Sequence, residues 1–98
     1  MQDDIKKIAD HYGYEAQSRQ LIEEMAELTM AICKYARLDV KKVSVSELLD
    51  SYGNIVEEIA DVEIMLSQIK YLMACEDGIE QEKARKIQRQ LKRMESED

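Results

Sequence analysis

Carboxylates at regular spacing are the residues with the clearest capacity for chemistry. They recur in two related stretches, LIEEMAEL at 21–28 and IVEEIADV at 55–62, offset by 34 residues. Each stretch has two adjacent glutamates, an apolar residue, an alanine, a third carboxylate and another apolar residue. In a helix, Glu24 with Glu27 and Glu58 with Asp61 stand at i,i+3, so each pair shares one face. Two such helices side by side present four carboxylates to a common groove. Hard divalent cations such as Mg2+ take oxygen ligands of this kind, with waters and substrate phosphates completing the coordination.

Glu24, Glu27, Glu58 and Asp61 have no Lys or Arg three or four residues away in either direction. Each therefore lacks the local partner that a solvated helix face normally supplies. Glu23 differs: it lies four residues after Arg19, which itself follows Glu15 by four, in ordinary surface pairing. The four unpaired carboxylates also lie beside the apolar stripe, where a negative charge is costly until a cation neutralises it. A single EExxE would be weak support, because glutamate is a good helix former. Its recurrence with the same neighbours argues for a shared cation site.

The elements that must position these groups are helical throughout. The chain contains no Pro, Trp or Phe and only three Gly, and is 45% hydrophobic. A short helix is expected from Asp3 or Asp4 to His11, ended by Gly13. A second runs from Tyr14 to Arg37 or Leu38, with Leu21, Met25, Leu28, Ile32 and Tyr35 as a buried stripe. Ser44 and Glu47 have capping-box spacing, and Val43 with Leu48 the spacing of a hydrophobic staple, so a third helix starts there and continues to Ala74, with Leu48, Tyr52, Ile55, Ile59, Val62, Leu66, Ile69 and Met73 as its stripe. It is read as continuous through Gly53, with the glycine allowing a close contact or local distortion. Asp77 and Glu80 mark the start of a fourth helix, from Gly78 or Ile79 to Met94, with the last residues fraying. The fold class is all-α, an antiparallel bundle of about four helices in one domain spanning 1–98, assembling through helix packing.

Composition excludes several functions. A net charge of −7 argues against nucleic acid or an anionic membrane as partner. No signal peptide and no apolar run of transmembrane length is present, which makes the cytoplasm the default compartment. Cys33 and Cys75 lack CxxC spacing and a histidine cluster, so buried reduced thiols are expected. His11 is given no chemistry. The Glu-x-x-His elements of di-iron bundles are absent, as are calcium loops, zinc signatures, glycine-rich phosphate loops and a recognisable nucleophile triad.

On these residues the chain resembles the MazG-like, all-alpha nucleoside triphosphate pyrophosphohydrolases, which are related to the dimeric all-alpha dUTPases. The family pattern EExxE followed by ExxD is met by Glu23, Glu24 and Glu27, then by Glu58 and Asp61. The resemblance covers Leu21 to Arg93. It implies that Glu24, Glu27, Glu58 and Asp61 bind Mg2+, with Mn2+ as a possible substitute, and carry catalysis. It also implies cleavage of a (deoxy)nucleoside triphosphate between the alpha and beta phosphates. Lys83, Lys86 and Arg89 correspond to the family's late-helix phosphate contacts, and a homodimer or homotetramer is implied. Glu27 is the choice for orienting the attacking water. Two other readings stand beside this one: a non-catalytic helical interaction module, and a hydrolase of another pyrophosphate-containing compound.

Overall fold

The structure, a computed structural model, describes residues 1–97. It contains three helices and, among the described residues, no strand: α1 (Gln2–Ala36), α2 (Val45–Met73) and α3 (Glu76–Glu97). The expected break at Gly13 is present, but as a sharp kink without loop residues, so the first two expected segments are the two arms of α1. Gly13 has φ 84° and ψ 168°, a conformation open to glycine alone among the residues of α1. The kink folds the first segment of α1 back along α2. There Ile5 and Ala9 are buried, and the Tyr71 hydroxyl donates to both carboxylate oxygens of Asp10 at 2.9 Å. That bond is the leading reason the Tyr71 pKa is raised, ahead of desolvation and the charge of Asp10.

The rest of α1 and α2 form an antiparallel hairpin, since Gln17 meets Gln68 at one end while Glu24 and Glu27 meet Glu58 nearer the connection. Ser44 caps α2 as its sequence position predicts, its Oγ accepting from the Glu47 amide at 3.1 Å. α2 passes through Gly53 without interruption. Open space surrounds that residue, so it serves no close contact within the chain. At the other end Ala74 sits in the left-handed region, φ 51° and ψ 43°, where a Cβ is unfavourable. Ala74→Gly is therefore expected to raise stability by about 0.5–1 kcal/mol and Gly13→Ala to lower it by about 1–3 kcal/mol. Urea titration of the two variants reads both.

α3 begins at Glu76, so Asp77 is a first-turn acid and not the cap. The helix continues to Glu97, past the expected end at Met94; of the segment expected to fray, Asp98 lies outside the described residues. No residue of α3 is buried, and it packs along neither α1 nor α2. The chain consequently has a radius of gyration of 17.6 Å, against about 13 Å for a compact domain of this length. Its accessible surface is 7914 Å², against roughly 5,800 Å² for a compact chain of this mass. No helix among the described residues is long and apolar enough to cross a membrane.

The expected apolar stripes are only partly covered. Leu21 and Leu28 are half-buried, but Met25, Ile32 and Tyr35 are exposed, as are Ile59 and Leu66 on α2. The physical reason is register. The α1 side of the seam runs through Gln17, Glu24 and Ala31, at seven-residue spacing, and the α2 side through Glu58, Val62, Met65 and Gln68. Polar side chains thus share the centre of the hairpin with Ala31, Val62 and Met65, and many of the large apolar ones flank it. The thiols depart from expectation too: both are free, but Cys33 is exposed and Cys75 half-buried.

Candidate metal centre

Glu24 and Glu27 stand on one face of α1, and Glu58 faces them from α2. The structure brings these three together: one carboxylate oxygen from each lies within 4.8 Å of the others. Glu24 and Glu58 are half-buried, while Glu27 is exposed. Gln20 Nε2 donates to Glu24 Oε1 at 2.7 Å, one turn away on the same helix. The second oxygens, Glu24 Oε2 and Glu58 Oε2, are shielded from solvent and accept no hydrogen bond. Buried carboxylate oxygens without donors are costly and rare in folded proteins.

The electrostatics agree with the geometry. The Glu58 pKa is raised, first by desolvation and then by the negative charges of Glu27, Asp61, Glu24 and Glu57. Asp61 lies outside the group of three but is half-buried on the same face of α2, and its charge acts on Glu58. No ion pair among the described residues involves any of the four carboxylates; the three present join Arg19 to Glu15, Lys83 to Glu80 and Arg85 to Glu82. A divalent cation fits this donor set: it supplies the missing partner to two orphaned oxygens and removes the mutual repulsion of the group.

Lys83, Lys86 and Arg89 all lie on α3, and the chain does not pack that helix against the carboxylates. Lys83 is engaged by Glu80 at 3.2 Å.

Two supporting features were not anticipated from sequence. Gln20 holds Glu24 as described. Gln17, seven residues before Glu24, donates through Nε2 to Gln68 Oε1 at 2.7 Å, and Gln68 is 1% exposed, more deeply buried than either carboxylate. The available signal was spacing: Gln17 precedes Glu24 by seven and Gln68 follows Asp61 by seven, which places each on the carboxylate face.

Comparison of the chain with protein-family models, with curated proteins and with solved structures found no match. The site therefore stands on its own geometry: three clustered carboxylates able to chelate a divalent cation, on two antiparallel helices.

Proposed function

We propose that the chain is a Mg2+-dependent hydrolase of a (deoxy)nucleoside triphosphate, releasing the monophosphate and pyrophosphate, as its EExxE and ExxD motifs suggest by resemblance to the MazG-like enzymes. The observation that carries the reading is the meeting of Glu24, Glu27 and Glu58 within 4.8 Å, with two of their oxygens buried and unpartnered. These three carboxylates would hold the cation, with Asp61 adding negative charge beside them. When bound, Mg2+ neutralises phosphate oxygens and polarises the phosphoryl group for attack.

The chain's own residues supply position and proton handling. Glu24 is fixed by Gln20, and Glu58 by its place in the seam. Glu27, the exposed member, is open to solvent and accepts a hydrogen bond from the water that attacks the alpha phosphorus. Water adds across the alpha–beta bridge: its oxygen joins the monophosphate, the bridging oxygen leaves with pyrophosphate, and the proton passes to solvent through Glu27.

We infer further that the working form contains two or more copies. The excess of accessible surface over a compact chain is close to what a large obligate interface removes, and the exposed apolar residues beside the seam, with the unpacked α3, supply the surface to be covered. In such an assembly, α3 of one copy is free to bring Lys83, Lys86 and Arg89 to the phosphates held by another.

Hydrolysis of the common ribo- and deoxyribonucleoside triphosphates with Mg2+ in 18O-labelled water tests the reading. Equal yields of monophosphate and pyrophosphate are expected, with the label in the monophosphate. Release of inorganic phosphate instead would overturn it. Failure on every nucleotide by protein that binds Mn2+ would favour the hydrolase of another pyrophosphate compound, and absence of metal binding the non-catalytic module.

A further inference from the structure

A cavity of about 500 Å³ lies between the C-terminal part of α1 and the first turns of α2, lined by Lys34, Leu38, Glu47, Asp50, Ser51 and Asn54. It lies along the same two helices as the carboxylates, on the side of the α1–α2 connection. Asn54 precedes Glu58 by one turn, about 6 Å along the axis, and Lys34 follows Glu27 by two turns, about 10 Å. Between Glu27 and Lys34 on the same face lies Ala31, 2% exposed, where the two helices pack against each other.

The lining is mixed. Lys34 and Asn54 donate, Glu47, Asp50 and Asn54 accept, Ser51 does both, and Leu38 offers an apolar contact. Lys34 makes no ion pair among the described residues. Two carboxylates beside one ammonium disfavour a second polyanion, so the cavity is ill suited to the phosphate chain. Uncharged groups carrying both donors and acceptors suit it, and a volume in the range of small-molecule sites admits a base with its sugar.

We propose that this cavity binds the nucleoside, base and sugar together, of the substrate whose phosphates sit at Glu24, Glu27 and Glu58, with Asn54, Ser51 and Asp50 as the residues that set nucleoside specificity. Asp50 and Ser51 accept from sugar hydroxyls, while Asn54 and Lys34 address the base. The inference rests on the metal-site reading above and adds a substrate direction: the nucleoside points toward the connection between α1 and α2.

The test is calorimetric binding, so it does not depend on turnover. The probes are Mn2+ alone, inorganic tripolyphosphate with Mn2+, and uncleavable α,β-methylene nucleoside triphosphates carrying each common base with Mn2+. The variants are Ser51→Ala/Asn54→Ala and Asp50→Ala, in which alanine preserves the helix. The tightest-binding analogue is expected to weaken at least tenfold in each variant, with Mn2+ and tripolyphosphate binding unchanged. Equal weakening of tripolyphosphate would show a phosphate subsite, and unchanged analogue binding would show no subsite; either overturns the proposal while leaving the metal site standing. Failure of the wild-type protein to bind Mn2+ would remove the metal site and this proposal together.

Discussion

Glu58→Gln is expected to give a protein that is more stable without metal and inactive with it. The substitution keeps the shape of a half-buried side chain while removing the charge that desolvation and four neighbouring carboxylates oppose. The metal-free variant should therefore melt above the metal-free wild type. It should also lose most of the stabilisation that Mg2+ or Mn2+ gives by binding the folded state alone, and turnover should fall by at least about 100-fold. The pH dependence follows from the same shift. Because the Glu58 pKa is higher in the folded protein than in the unfolded chain, its contribution is fully favourable below the unfolded carboxylate value, about 4.3. That contribution is lost as pH rises through the folded-state value. The difference in melting temperature between variant and wild type should thus widen from mildly acidic to neutral pH and close again when the cation is added. A variant that melts below the wild type at neutral pH without metal would contradict the repulsive site.

Gln68→Leu is expected to have a large stability effect of a different origin. The Gln17 amide is 7% exposed and donates to Gln68. Leucine at 68 leaves that donor buried and unpaired, a loss of about 1–3 kcal/mol. Gln17→Leu should cost a similar amount by stranding Gln68, whose remaining bond is to the Met65 sulphur at 3.6 Å. The double variant removes both polar groups and should recover much of the loss, so the two effects should be far from additive. Additive losses by chemical denaturation would mean that the two amides do not act as a pair.

Much of the site was legible in sequence because its signal is local. A helix face is set by three- and four-residue spacing, and a missing counter-charge is visible in the same window, so Glu24 with Glu27 and Glu58 with Asp61 could each be placed on one face before any fold was known; which of them meet across the helices, Glu58 and not Asp61, could not. The start of α2 at Ser44 was legible for the same reason. Register across the seam was not. Periodicity identifies an apolar stripe but not which edge of it meets the neighbouring helix. Of the apolar stripes Val62 is buried as expected, but Met25, Ile32, Ile59 and Leu66 lie outside the centre, which Val62 and Met65 share with Gln17, Glu24, Ala31 and Gln68. Glutamine is also neutral to most sequence arguments, so a pair separated by 51 residues gave little warning. The path of α3 was illegible because the helix buries no residue against α1 or α2, so its apolar side has no partner within the described residues to fix it.

The groove between α1 and α2 has two unlike ends. At Gln68 it is plugged by an uncharged amide pair at 1% and 7% exposure, and beyond the carboxylates, toward Asn54, lies a cavity. The chain thus gives its acidic groove a dry end and a wet one: the amide pair shuts water out beyond the carboxylates, while the exposed Glu27 leaves the cluster in reach of dissolved ions.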